Sequence, residues 1–128
     1  MEKALKIFAS LADKTRLRLY RLLLKTDKEI AVCELIDAVK ESQYNVSRHL
    51  QILKNAGMVK EKRNGRWILY SAAADPDVNL SDAVVKMDET VLKKDFERLE
   101  KRLSLRRNGE IISCRIAGNN KKRGEKNG

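Results

Sequence analysis

The chain has 128 residues, which is enough for one domain with a single core and too few for two domains of ordinary size. Its 28 Lys and Arg against 18 Asp and Glu give a formal net charge of +10, which favours polyanionic partners and disfavours acidic ones. No apolar run approaches the roughly 20 residues that would span a bilayer, so we expect a soluble, cytoplasmic protein without a membrane partner.

The positive charge is concentrated in the middle of the chain. Residues 42–70 carry six bases and one acid, whereas residues 1–41 carry nine bases and seven acids. A basic surface can serve solubility alone. Because half of the excess lies in this short segment, the distribution favours nucleic-acid binding.

Apolar residues at helical spacing predict four helices in the first half of the chain. Asp13 and Ser42 stand where a side-chain oxygen would cap the second and the fourth helix, and Gly57 follows the fourth as a terminator. The predicted helices span Glu2–Leu11, Lys14–Lys25, Ala31–Val39 and Gln43–Ala56.

The helical spacing of apolar residues stops after the fourth helix. Two short runs, Val59–Arg63 and Arg66–Tyr70, flank Asn64-Gly65, a dipeptide that favours a type I′ hairpin turn. The sequence therefore predicts a β-hairpin with a basic tip.

Apolar residues from Leu80 to Leu103 then predict one long last helix. The signal fades afterwards, and residues 119–128 form a polar run with four bases and one acid. We expect residues 1–107 to form one domain and residues 108–128 to form a flexible basic tail.

A short helix, a tight turn and a second helix with a polar first half are typical of a helix-turn-helix, whose second helix enters the major groove. Arg48 suits guanine O6 and N7, and Gln43 or Asn45 suits adenine N6 and N7. The hairpin would be a wing on the backbone or the minor groove. The candidate DNA-binding residues are Ser42, Gln43, Tyr44, Asn45, Ser47, Arg48 and His49 on the helix, and Lys62, Arg63, Asn64 and Arg66 in the hairpin.

Two stretches of the sequence carry a resemblance to a known family. FASLADKTRLRLYRLL is similar to the entry helix pair, and VCELIDAVKESQYNVSRHLQILKNAGMVKEKRNGRWILYS to the recognition helix and wing, of the ArsR/SmtB repressors of bacteria and archaea. Over residues 4–105 the resemblance implies a homodimer that binds a palindromic double-stranded DNA operator and leaves it when an inducer arrives. The predicted fold class is mainly α with a small β-hairpin, a winged helix-turn-helix in the order α-α-α-α-β-β-α.

The first and last helices have apolar stripes that exceed what a core this small can cover. The family resemblance implies that these two helices form the dimer. The candidate dimerisation residues are Leu5, Phe8, Val84, Val91 and Leu99.

The two cysteines, Cys33 and Cys114, are too few for a disulfide framework or a four-ligand zinc site within one chain. In the family's arsenic and cadmium sensors the third helix carries the motif E-L-C-V-C-D-L. Cys33 falls on its second thiol, whereas Ala31 and Ile36 occupy the positions of other thiols. Cys33 is therefore either a small core residue or, with Cys114, a site for a metalloid such as arsenite or for a redox disulfide.

His49 is the only histidine, and we expect it on the helix surface, touching DNA phosphate or solvent. Zinc and nickel sites of the family depend on imidazoles, so arsenite is favoured over those metals. The sequence contains no P-loop, no metal-ligand cluster and no nucleophile beside a base. We expect a protein that is not an enzyme and requires no cofactor.

Two functions remain open. One is a sequence-specific transcriptional repressor. The other is an architectural DNA- or RNA-binding protein that uses the same basic surface without sequence preference. Preference for one inverted repeat distinguishes them.

Overall fold

The computed structural model describes residues 1–73 and 80–112. Helices dominate, with a small antiparallel sheet between them, which confirms the predicted winged helix-turn-helix class. The elements are α1 (Glu2–Leu11), α2 (Lys14–Thr26), β1 (Ile30–Ala31), α3 (Val32–Val39), α4 (Gln43–Asn55), β2 (Val59–Asn64), β3 (Trp67–Ala72), α5 (Ser81–Val85) and α6 (Thr90–Leu103). In the described part of the chain, no helix has the length and apolar content needed to cross a bilayer.

The predicted caps of α2 and α4 and the predicted terminator of α4 are confirmed. The Asp13 carboxylate accepts a hydrogen bond from the Arg16 backbone N–H at 3.1 Å, and Ser42 Oγ accepts one from the Asn45 N–H at 3.1 Å. Gly57 follows α4 with φ of +77°, the left-handed conformation that glycine tolerates best. These caps fix where α2 and α4 begin and where α4 ends.

The hairpin turn lies one residue later than predicted. Asn64 pairs with Trp67, so the two-residue loop is Gly65-Arg66 rather than Asn64-Gly65. Of these two loop residues only Gly65, at +63°, has a positive φ, which matches a type II′ turn with glycine in first place. The predicted type I′ turn would have needed positive φ at both positions.

A third strand was not predicted. Ile30 pairs with Tyr70 and Ala31 with Leu69, so the sheet has the order β1-β3-β2. A two-residue strand is too short to show a period in the sequence. It nevertheless ties the wing directly to the start of α3.

The predicted long last helix is two helices, α5 and α6, separated by residues 86–89. The Arg21 guanidinium reaches the break and donates to the carbonyls of Met87 at 2.9 Å, Val85 at 3.3 Å and Leu92 at 3.4 Å. A buried cation thus donates to the carbonyls of Val85 and Met87 at the interruption and to that of Leu92 in the first turn of α6. The apolar spacing continues across the break, which explains the error.

One apolar core joins α2, α3, α4, α6 and the sheet, and Val84 and Leu99 lie in it. The predicted dimerisation residues therefore fall into a buried group and an exposed group. Val84 and Leu99 are covered by their own chain, whereas Leu5 and Phe8 on α1 are 54% and 53% exposed. Val91 is half-buried, and dimerisation itself stays a prediction.

Three arginines, four residues apart along α6 and just beyond its end, contact α3. We call these contacts the arginine ladder. They join Arg98 Nε to the Ala38 carbonyl at 2.7 Å, Arg102 Nε to Asp37 Oδ2 at 2.6 Å and Arg106 Nε to Glu34 Oε2 at 2.8 Å. Because the partners run in the opposite order along α3, the two helices are antiparallel.

A second buried ion pair connects α6 to α2. Arg18 donates through Nε and Nη2 to the two oxygens of the buried Asp95 carboxylate, both at 2.8 Å, and Nη2 also donates to the Val39 carbonyl at 2.7 Å. Arg98 donates to the same carboxylate at 2.9 Å. The hydrogen bond to Asp95 raises the pKa of Arg18 above its ordinary value.

Replacing Asp95 by alanine should lower the free energy of unfolding by about 3–5 kcal/mol, because Arg18 and Arg98 would lose their buried counter-charge. Urea unfolding followed by circular dichroism measures the change. The control is Asp82→Ala, which removes an exposed ion pair to Lys86 at 3.0 Å and should cost at most about 0.5 kcal/mol. Equal losses in the two variants would contradict the importance of the buried pair.

Candidate nucleic-acid interface

Helices α3 and α4 are joined by a tight turn. Lys40 ends α3 in the left-handed conformation, with φ of +59°, and Ser42 already caps α4. The apolar side of α4, including Val46, Leu50 and Leu53, is buried in the core. Most polar residues of its first turns therefore face away from the core, and His49 is the exception.

Most of the predicted contacts on α4 lie on this outer side. Gln43 and Arg48 are exposed, Tyr44 is 75% exposed and Ser47 is half-buried. Gln51, which the sequence analysis did not single out, is exposed one turn beyond Ser47. Its spacing of four residues from Ser47 was the signal that could have identified it.

Two other predicted contacts already have local partners. Ser42 accepts the capping hydrogen bond described above, and Asn45 donates from its side chain to Glu41 Oε1 at 3.4 Å. Both interactions organise the start of α4. Contact of these two residues with DNA stays a prediction.

The surface position predicted for His49 is wrong. The side chain is 6% exposed and faces α2, where Nδ1 accepts a hydrogen bond from Arg16 Nη1 at 3.0 Å. His49 follows Val46 by three residues, and this spacing places it on the inward face of α4. It joins α4 to α2 instead of facing solvent.

Burial lowers the pKa of His49, and the nearby guanidinium groups of Arg48 and Arg16 lower it further. The carboxylates of Asp13 and Glu41 act in the opposite direction. Since the pKa of the ring falls below its ordinary value of 6.5, the folded chain favours the neutral imidazole.

The wing residues Lys62, Arg63, Asn64 and Arg66 are all exposed. The Lys62 ammonium lies 3.7 Å from the Glu29 carboxylate. The Arg66 guanidinium lies over the Trp67 indole, 4.9 Å from the ring centroid, a cation–π contact that limits its freedom. The hairpin thus projects a mostly basic tip.

A groove of about 470 Å³ lies between α4 and the wing. Its lining combines the outer side of α4 with the loop of the wing and with α3. The residues are Gln43, Ser47 and Gln51 from α4, Glu61, Arg66, Trp67, Ile68 and Tyr70 from the hairpin, and Val32, Cys33 and Ile36 from α3. Three of the predicted contacts, Gln43 and Ser47 on α4 and Arg66 in the wing, therefore line the same groove.

Cys33 is buried in the first turn of α3, against Ala31 and Leu69. Arg102 Nη2 donates to its sulfur at 3.8 Å, and the Ile112 carbonyl lies 4.0 Å from the same atom. Cys114 lies outside the described residues. Within residues 1–73 and 80–112, no three His, Cys, Asp or Glu side chains are grouped as metal ligands would be.

Comparison with known sequences identifies the kind of protein that this chain resembles. Residues 13–61 match the sequence model of a family described as a bacterial regulatory protein, arsR family. An uncharacterised HTH-type transcriptional regulator of Methanocaldococcus jannaschii is 42% identical over 74 residues, which are 58% of this chain and 82% of that protein. A cadmium resistance transcriptional regulatory protein of Listeria innocua is 31% identical over 85 residues, which are 66% of this chain and 71% of that protein.

Another relative is an arsenic resistance transcriptional regulator of Pseudomonas putida. It is 44% identical over 64 residues, or 50% of this chain. The match spans about half the length of that protein, 49%.

The protonation of His49 should make stability depend on pH. Because its folded-state pKa is lowered, the stabilisation it provides is present above the unfolded pKa of about 6.5 and is lost as pH falls through the folded value. His49 is the chain's only histidine, so an NMR titration of the untagged protein reports it without ambiguity. We expect a midpoint below 6.5.

The matched variant is His49→Gln, which does not titrate in this range. Acidification from pH 7.5 to 5 should reduce the unfolding free energy of the wild type more than that of the variant. A midpoint above 6.5, or parallel pH profiles, would contradict the buried neutral ring.

Proposed function

Because the chain belongs to the ArsR/SmtB family of transcriptional regulators, we propose that it is a repressor that binds a palindromic operator as a homodimer and is released by an inducer. Members of this family are DNA-binding regulators, so the chain is not an enzyme. The observation that supports the proposal is the groove between α4 and the wing, which Gln43 and Ser47 line from the helix and Arg66 lines from the hairpin. We place this activity in the cytoplasm, where the DNA would be.

The two parts of this surface would meet different parts of the DNA. Exposed Arg48 and Gln43 lie on α4, the helix that would enter the major groove, where their side chains can hydrogen-bond to base edges. Arg63 and Arg66 lie at the tip of the hairpin, where their charge would hold phosphates or the flanking minor groove. Helix α4 would supply sequence preference, and the wing would supply salt-dependent affinity.

The proposed dimer is supported by the apolar surface of α1. Leu5 and Phe8 are each more than half exposed, an unusual position for large apolar side chains three residues apart on one helix. Pairing of two chains would place two copies of α4 in successive major grooves about 34 Å apart. A palindromic operator matches that symmetry.

The proposed effector site uses the thiols of Cys33 and Cys114, which would bind arsenite or close as a disulfide. Two relatives are named as arsenic and cadmium resistance regulators. The guanidinium of Arg102 donates to Cys33 Sγ at 3.8 Å and would pair with the thiolate form, which binds soft metalloids. Cys114 follows Ile112 by two residues, and the Ile112 carbonyl is already near Cys33. DNA binding itself would require no cofactor.

Replacing Arg48 by alanine should weaken binding to the operator by about 1–3 kcal/mol and relax base preference at one position in each half-site. The operator is first selected from random DNA, and affinities are then measured by fluorescence anisotropy. The control is Lys94→Ala on an exposed position of α6. An equal loss on operator and random DNA would show that Arg48 only positions the backbone.

A titration of operator-bound protein tests the effector proposal. We expect arsenite, a thiol oxidant, or both to release wild-type protein, and Cys33→Ser and Cys114→Ser each to abolish that release. If the bound effector prefers the DNA-free form, operator affinity must fall as the effector saturates. Release that persists in both variants would contradict the two-thiol site.

A further inference from the structure

The chain reverses direction immediately after α6. Arg107 and Glu110 exchange backbone hydrogen bonds of 3.0 and 2.8 Å, and the two residues between them, Asn108 and Gly109, have φ of +53° and +79°. Positive φ at both central positions is the requirement of a type I′ turn. The predicted boundary of the tail at residue 108 falls inside this turn, which directs the next residues towards the wing.

The returning segment packs on the wing. Ile111 lies with Trp67 against a small buried cluster formed by Ala31, Cys33 and Leu69. Gly109, Glu110 and Ile111 also line one wall of a cleft of about 410 Å³ whose other wall is residues 64–67, the tip of the hairpin. The turn is therefore next to the loop that carries Arg66.

Both ends of this segment are fixed by charged hydrogen bonds. Arg106 donates through Nη2 to Glu34 at 2.6 Å and to the Glu29 carbonyl at 2.9 Å. At the other end, Arg102 Nη2 donates to the Ile112 carbonyl. The segment is thus held against α3 and α6, and it can transmit their position to β3.

The wing needs such support because its outer strand packs on little. Along β2 only Val59 is buried, and its remaining residues are exposed. The hairpin depends on β3, whose Leu69 is buried and whose Trp67 and Ile68 are half-buried. A change in the packing of β3 would therefore move the whole tip.

We propose that residues 106–112 brace the wing and that Ile111 is a positioning residue for DNA binding. The proposal rests on the proposed function, in which the wing meets DNA. Ile111 contacts the cluster beneath β3 rather than DNA, and it acts by fixing the direction in which the loop presents Arg66. Without it, the wing would keep its strands but lose its fixed orientation.

A double-mutant cycle between Ile111→Asp and Arg66→Ala tests this inference, with anisotropy on the selected operator at several salt concentrations. If Ile111 acts through the wing, Ile111→Asp should weaken binding at least as much as Arg66→Ala, and the double variant should bind no more weakly than Ile111→Asp alone. Arg66→Ala should lower the slope of log affinity against log salt by about 0.9, the contribution of one phosphate contact, and Ile111→Asp should lower it by at least that amount. Additive losses would overturn the proposal.

Three further variants separate positioning from loss of fold. Leu105→Asp places the same charge on an exposed apolar residue near the end of α6, outside the cluster, and should bind like wild type. The conservative variant Ile111→Leu should bind like wild type. If Ile111→Asp is unfolded, Ile111→Ala takes its place in the double-mutant cycle with Arg66→Ala. Trp67 is the only tryptophan, so its emission should shift to the red in Ile111→Asp and not in Leu105→Asp.

The outcomes also separate this proposal from the proposed function. If Arg66→Ala weakens binding and Ile111→Asp does not, only the brace is wrong. If neither changes affinity or salt slope while Arg48→Ala still does, the wing is outside the interface and the brace is overturned with it. If the wild type shows no DNA binding, both proposals fail.

Discussion

Helix α3 is held at both ends by arginine guanidinium groups. Arg18 donates to the Val39 carbonyl at its C-terminal end, and Arg106 donates to the fully buried Glu34 near its N-terminal end. Helix α3 in turn packs on α4 and continues directly from β1, the strand that pairs with the wing. The relative orientation of the helix and the wing that we propose as the DNA-binding surface therefore depends on these charges.

Buried ion pairs are poor contributors to net stability, because removing two charges from water costs about as much as their attraction returns. Here they fix the relative positions of helices, because a planar guanidinium can donate hydrogen bonds to its acceptors in only a few orientations. Arg102 illustrates the point, because one side chain contacts Asp37, Cys33 and the Ile112 carbonyl. Chemistry at the Cys33 thiol would alter the same contacts that hold α3 against α6 and the brace against the wing.

Local features of the fold could be predicted from the sequence. Neighbouring residues determine both the caps at Asp13 and Ser42 and the spacing of the apolar residues. The helices and the hairpin could be predicted from these local features. The break before α6 could not be predicted from neighbouring residues, because the side chain that hydrogen-bonds there, Arg21, lies 66 residues before Met87 in the sequence. His49 was misplaced for a related reason: its inward spacing was visible, but its partner Arg16 lies 33 residues away. The arginine ladder was not predicted, because its partners on α3 lie 60 to 72 residues earlier in the chain.

In the proposed complex, α4 and the wing of two chains together read an inverted repeat. The most direct measurement compares affinity for the selected repeat with affinity for the same DNA after one half-site is scrambled, at fixed salt, with stoichiometry from sedimentation. We expect two chains on each intact repeat and a preference for it over random DNA of about 10³-fold or more. Equal affinity for the intact, scrambled and random sequences would contradict a sequence-specific repressor and would favour an architectural nucleic-acid-binding protein.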